Sequence, residues 1–274
     1  MRLPIFPLAM LAVAALAGGL ALPRLLDGLG LRKKNFKGEM IPAAYGAQIA
    51  FFAIMGCVLL RLLDCAPQRI IALYAIEIAG MAALGFVDDL FGTRETGGFR
   101  GHFEKLILER KLTTGAFKAL SGGVLALALG ALVSKSLGAW VVNSLLIALS
   151  ANALNLLDLR PGRALAAFFF GLIAVSAACG FLLTGIWPLV ALMPPTVVLG
   201  FADVRGRAMM GDTGSNPLGG ALGLTLAIDG GMPAKLVAIA VLLGLHVLCE
   251  RYSLSQIIER NAILRRLDSL LGVR

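Results

Sequence analysis

The chain has 274 residues, 58% of them hydrophobic and only 15% charged, with a formal net charge of +9. Long apolar runs separated by short connections recur along its whole length, which excludes a soluble bundle of buried helices. No aromatic-interleaved basic patch accompanies the positive charge, so nucleic acid is not an expected partner, and the bilayer is.

A spanning helix needs about 20 mostly apolar residues. Nine candidates lie near residues 5 to 22, 42 to 62, 70 to 87, 115 to 133, 137 to 157, 164 to 183, 186 to 201, 217 to 229 and 232 to 249, the eighth being short. The expected fold class is all-α, a polytopic transmembrane helix bundle of about nine to ten spans over residues 1–252, with a C-terminal cytoplasmic amphipathic helix over 253–274. The first run has no convincing cleavage site after it and reads as a retained span. Cys57, Cys65, Cys179 and Cys249 lie in or beside separate runs without zinc-site spacing and read as apolar filler. His246 lies inside the ninth run, where a packed core role is the ordinary expectation, and His102 lies in the third loop.

Lys and Arg alternate between loops. Arg24, Arg32, Lys33, Lys34 and Lys37 fall in the first, Arg94, Arg100, Lys105, Arg110 and Lys111 in the third, Arg160 and Arg163 in the fifth, and Arg205 and Arg207 in the seventh. The tail adds Arg251, Arg260, Arg265, Arg266 and Arg274, while the intervening connections hold little beyond Arg69 and Lys135. The positive-inside rule then puts the amino terminus outside and the carboxyl terminus in the cytoplasm of a cell membrane.

Three polar islands fall on the cytoplasmic side of this arrangement. Asp88 and Asp89 end the third run, Asn152, Asn155 and Asp158 end the fifth, and Gly211 to Pro217 lead into the eighth. Adjacent carboxylates raise one another's pKa unless a cation compensates, so the aspartate pair implies a partner: Lys105, Lys111, Lys118 or a divalent ion. Asn152, Asn155 and Asp158 recur at intervals of three and form a polar ladder along one side of a helix. The glycines of the third island permit unusual backbone angles, Ser215 or Asn216 suits a cap, and Pro217 suits a first helical turn. A helix start of this kind binds anions, and Asp212 beside it suits magnesium.

At these residues the chain resembles the polyprenyl-phosphate N-acetylhexosamine-1-phosphate transferases, the membrane family that includes phospho-N-acetylmuramoyl-pentapeptide transferase. Phe86-Val-Asp-Asp-Leu-Phe-Gly92 is similar to the family's aspartate-pair motif, Asn152-x-x-Asn155-x-x-Asp158 to its N-x-x-N-x-x-D motif, and Met210-Gly-Asp-Thr-Gly-Ser215 to its M-G-D-S/V-G-S motif. Fainter likenesses are Ile41-Pro-Ala-Ala-Tyr-Gly46 to the early P-x-x-G-G loop and Lys118 to the lysine after the aspartate pair. The resemblance implies transfer of a sugar 1-phosphate from a UDP-sugar to a polyprenyl (undecaprenyl) phosphate, with release of UMP, at the inner face of a bacterial membrane, for cell-envelope glycan synthesis. It implies catalytic roles for Asp88, Asp89 and Asp212, with Asp88 and Asp89 positioning or deprotonating the lipid phosphate. Magnesium, or manganese in its place, would be held by Asp212 and Asn155. Substrate would be bound by Lys118, Asn152, Asp158, Gly211, Gly214 and Ser215. A homodimer is compatible with it.

The sequence departs from the family at two places. Asp158-Leu-Arg-Pro-Gly-Arg-Ala164 stands where the family continues D-G-x-x-G-L-A, adding two cations, and Glu250 to Asn261 contains no histidine where the family has a histidine-rich segment. That segment helps define the hexosamine in the family, so a UDP-sugar other than the muramoyl-pentapeptide donor is expected. The tail places Leu254, Ile257, Ile258, Leu264 and Leu267 near helical spacing with Arg260, Arg265 and Arg266 between them, as in a helix lying on the inner leaflet. Glu77, within the third run, suits a buried polar tie or part of a lipid or proton path. Two other functional classes fit the pattern less well: a catalytically altered regulator that binds lipid phosphate or UDP-sugar, and an anion transporter, for which the sequence lacks an internal repeat.

Overall fold

The computed structural model describes residues 5–28, 31–35, 37–92, 114–180 and 186–272. Expectations for Lys105, Lys111, His102 and the rest of the third loop lie outside the described residues. Helix α1 (Ile5–Gly28) leads into an antiparallel hairpin, β1 (Arg32–Lys34) and β2 (Met40–Pro42), with Arg32 opposite Pro42 and Lys34 opposite Met40. Then come α2 (Ala47–Leu62), α3 (Gln68–Phe91), α4 (Thr114–Val133), α5 (Leu137–Leu157), α6 (Arg163–Ala178), α7 (Ile186–Ala191) and α8 (Met193–Asp203). The chain closes with α9 (Asp212–Asp229), α10 (Met232–Arg251), α11 (Leu254–Arg260) and α12 (Ala262–Leu271).

Each of the nine apolar runs contains a helix, but length and composition alone support fewer than nine to ten spans. Among the described residues four helices, α3, α4, α5 and α10, are long and apolar enough to cross a membrane. Others fail for identifiable reasons. Helices α2 and α6 have 16 residues each. The seventh run breaks at Leu192 into α7 and α8, because Pro194 and Pro195 lack the N–H groups that would continue the ladder. Helix α9 opens with a polar turn. Val124, Phe170, Val237 and Val241 are each at least 65% exposed, which leaves apolar flanks of α4, α6 and α10 facing outward. Four long apolar helices with such flanks mark a membrane protein.

Helix α9 is the buried axis of the bundle. Its residues Thr213 to Ala227 are all buried, and it packs chiefly against α5 and α3, with α6 and α2 alongside. Gly219 and Gly223, one helical turn apart, allow this: a Cβ on Gly219 would lie 2.8 Å from the Ala151 Cα, and one on Gly223 would lie 2.6 Å from the Leu146 carbonyl. Small residues at i and i+4 let two helix backbones approach closely, which is how helices associate in lipid, where burial alone supplies little drive. On another side of α9, Tyr74 Oη and Thr225 Oγ1 meet at 2.5 Å, tying it to α3. Glu77 is fully buried against Gly220, and neither of its carboxyl oxygens has a hydrogen-bond partner, so the expected polar tie does not form there.

The antiparallel order of the helices brings several ends to one side. The C-termini of α3, α5 and α10 meet the N-termini of α4 and α9 there, as the lining of one cavity shows. The hairpin is fastened at the same end, where Tyr45 N–H donates to Met209 O (3.0 Å), Gly46 N–H to Met210 O (2.9 Å) and Met209 N–H to Pro42 O (3.0 Å).

Candidate functional site

The cavity at this end has a volume of about 650 Å³. Part of the lining is polar, formed by Asp88, Asp89, Lys118, Asn152, Asn155, Asp158 and Asp212, so all three islands of the sequence reach it. The same helices continue the lining with small and apolar residues one or more turns further from the polar ends, among them Met81, Ala119, Gly122, Gly123 and Ala148.

Helix α3 ends by presenting the aspartate pair in two directions, since adjacent helical positions are about 100° apart. Asp88 faces Lys118 from α4, with Oδ2 3.2 Å from the ammonium. The same ammonium contacts Asp212 Oδ2, and Asn155 Nδ2 donates to that oxygen at 3.3 Å. One cation is therefore shared by carboxylates from two helices.

Asp89 turns the other way and caps α9. Its Oδ1 accepts from Asp212 N–H (3.2 Å), and its Oδ2 from Thr213 N–H (2.9 Å) and Thr213 Oγ1 (2.5 Å). A carboxylate at a helix N-terminus satisfies open N–H groups and complements the helix dipole. This moves the helix start upstream of the expected position. Helix α9 begins at Asp212, and Pro217 stands in its second turn. At this earlier start the N–H groups of Asp212 and Thr213 are occupied by Asp89, so they are not open to an anion. Gly211 makes the cap possible, because its φ of +69° is foreign to L side chains and a Cβ there would lie 2.5 Å from Asp89 Oδ2.

The remaining expected residues divide in two. Asn152, Asn155, Asp158 and Gly211 line the cavity, whereas Gly214 and Ser215 do not. Gly214 packs against Gly46, and Ser215 is fully buried with its hydroxyl donating to Gly211 O (3.1 Å). Both shape the turn from behind. Asp158 follows the last turn of α5 and lines the cavity beside Gly211. Burial, then Asp203, Asp212 and Asp89 nearby, push its carboxyl well above the usual range. Burial also pushes the Asp212 carboxyl up to about 6, with Lys118 opposing and Asp89 adding to the rise.

His246, Glu250 and Lys33 also line the cavity, and sequence reasoning missed their part in it. His246 Nδ1 lies 2.7 Å from the Leu242 carbonyl, and Nε2 lies 2.9 Å from Asn152 Nδ2. A carbonyl only accepts, so the neutral ring carries its proton on Nδ1 and accepts from Asn152 at Nε2. The available signal was the spacing of His246 and Glu250, four apart near the end of the ninth apolar run.

Among the described residues, no group of three or more His, Cys, Asp or Glu is arranged to hold a metal ion. Asp88 and Asp212 nevertheless converge on one cation, with the Asn155 carboxamide beside them. Two carboxylates are hard oxygen donors of the kind that hold magnesium when water and phosphate oxygens complete its shell, and Asn155, which here turns its NH₂ to Asp212, would add its carboxamide oxygen on rotating about its last side-chain bond. No family model matches the chain, and no match was found among curated proteins.

Proposed function

We propose that this protein is a magnesium-dependent transferase that moves a sugar 1-phosphate from a UDP-sugar to a polyprenyl phosphate. The observation that carries the reading is the Asp88–Lys118–Asp212 cluster, with Asn155 on Asp212, in a cavity lined by both polar and apolar residues. The likeness of these same segments to three motifs of the polyprenyl-phosphate transferases supports it. The apolar lining suits the first units of a prenyl chain. The side lined by Asn152, Asp158, His246 and Glu250 suits a sugar nucleotide.

In the reaction an oxygen of the lipid phosphate attacks the sugar-linked phosphorus of the donor. The new P–O bond joins lipid and sugar phosphates, the bond to the bridging oxygen breaks, and UMP leaves with that oxygen and its electron pair. A lipid phosphate has its second pKa at about 6, so it is largely dianionic at neutral pH and needs little help from a base. Lys118 offsets negative charge brought in by the two phosphates, and Asp88 orients Lys118. Asp89 holds the Gly211–Thr213 turn in place. Magnesium, held by Asp212 and Asn155 with Asp88 adjacent, would neutralise charge on the diphosphate and the departing UMP.

The topology assigned to this reading follows the charge alternation: nine spans, the amino terminus outside a bacterial inner membrane, and the cavity and carboxyl terminus at the cytoplasmic face, where UDP-sugars are made. The donor is a UDP-N-acetylhexosamine or similar simple sugar, because the histidine-rich segment of the family is missing. The test is incubation of purified protein with undecaprenyl phosphate, magnesium and a panel of UDP-sugars, following UMP release. Preference for the muramoyl-pentapeptide donor overturns the specificity, and binding of UDP-sugar without transfer supports a regulator in place of an enzyme.

A further inference from the structure

We propose that α11 and α12 form a clasp on the Asp158–Arg163 turn, making Arg163 and Asp268 positioning residues for the nucleotide-sugar side of the cavity. The positioning role rests on the transferase reading above, whereas the clasp itself does not.

Arg163 is the first residue of α6 and is 6% exposed. Its Nε donates to Asp268 Oδ1 at 2.6 Å, its Nη2 to Asp268 Oδ2 at 2.9 Å and its Nη1 to Ser255 Oγ at 3.0 Å. A two-pronged guanidinium–carboxylate pair fixes orientation as well as distance. The third bond extends the hold to α11. Arg160 and Glu259 approach at 4.0 Å on the more exposed side of the same contact. These two arginines are the cations by which the turn departs from the transferase motif, and both meet acids of the tail.

The backbones touch as well. Gly162 has a φ of +80°, and a Cβ on it would collide with the Leu271 carbonyl. A Cβ on Gly272 would lie 2.8 Å from Pro161 O and 3.0 Å from Val204 O. On its other side the turn reaches the site, since Gly162 N–H donates to Asp203 Oδ2 (2.7 Å) and Asp158, at the start of the turn, lines the cavity together with Gly211 and Asp212. The clasp thus holds, through Arg163, the turn whose first residue, Asp158, lines the cavity with Gly211 and Asp212.

Helix α12 also docks with an inverted pattern. Asp268 is its buried residue, while Ile263, Leu267 and Leu270 are 73%, 55% and 76% exposed. An ordinary surface helix buries its leucines and exposes its acids. Here the attachment is ionic and directional, so one carboxylate controls it.

Two measurements on the full-length chain test the proposal. Hydrogen exchange of amides 158–163 should rise about tenfold or more in Asp268→Asn, with α3 and α9 unchanged and Asp268→Glu partly restoring protection. Unchanged exchange overturns the clasp, whether or not the protein is a transferase. In the transfer assay Asp268→Asn should raise KM for the UDP-sugar about tenfold, with kcat at saturating donor and KM for the lipid within about twofold. An equal loss in kcat and in both KM values makes the contact merely structural and overturns the positioning role. If the wild-type chain transfers nothing from any UDP-sugar, the transferase reading fails and takes the positioning role with it, while the exchange result still decides the clasp.

Discussion

The structure separates two neighbouring carboxylates that sequence alone leaves equivalent, and Asp89→Asn tests the separation. Asp89 accepts three hydrogen bonds, one on Oδ1 and two on Oδ2. Asparagine keeps one acceptor oxygen. Placed toward Thr213, that oxygen retains two bonds, but the amide NH₂ then faces the Asp212 N–H, donor against donor. The loss is one charge-assisted bond and the charge at the start of α9, which sums to about 2–3 kcal/mol. At roughly 2–4 °C per kcal/mol for a chain of this size, the unfolding midpoint in detergent should fall by about 4–12 °C. Asp88→Asn should behave differently. It loosens only the pair with Lys118 at the cavity wall, so stability should change by less than about 1 kcal/mol while transfer collapses. Thermal unfolding and UMP release measured on both variants give the answer. An Asp89→Asn protein with wild-type stability and no transfer refutes the capping role and returns Asp89 to the chemistry.

Four further outcomes are expected. Chelation, or Asp212→Ala in a folded protein, should abolish transfer, and full turnover under either condition removes the metal from the mechanism. His246→Ala frees Asn152 from its ring partner and should raise KM for the UDP-sugar about tenfold, equivalent to about 1.4 kcal/mol, with lipid KM unchanged; a lipid-only effect would move His246 to the other substrate. Glu77→Met should raise the unfolding midpoint, because a fully buried carboxyl without a partner costs about 1–3 kcal/mol; lowered stability or lost transfer would show that the carboxyl has a use. In a background without native cysteines, a cysteine at exposed Lys135 should react with an impermeant thiol reagent from outside intact cells, and one at exposed Arg207 only after the membrane is opened. The reverse pattern would invert the topology.

The positions of the helices were legible because apolar runs and their interruptions determine them. Residues 137 to 157 fold as α5 over the same limits. Span count was less legible, since hydropathy treats Gly219, Gly220 and Gly223 as neutral filler, whereas they set α9 at the bundle axis through contacts that only a partner helix reveals. The break at Leu192 could have been read from Pro194 and Pro195.

The convergence of the islands was legible because charge alternation places them on one side, and each carries groups costly to leave unpaired. Which group faces the cavity was not. Gly214 and Ser215 share a motif with Asp212, yet a helix turns successive side chains by about 100°, so one motif necessarily serves both the cavity and the packing behind it. The tail shows the same limit in another form. Its leucine spacing points to a surface helix, and Ile263, Leu267 and Leu270 are indeed exposed, but nothing in that spacing marks Asp268 as the residue that docks. Arg163 and Asp268 are 105 positions apart, and each taken alone reads as a solvated charge at a helix end. Only the fold makes them one contact, and because Arg163 is buried, removing the Asp268 carboxylate takes away the two-pronged acceptor of a guanidinium that is out of reach of bulk water.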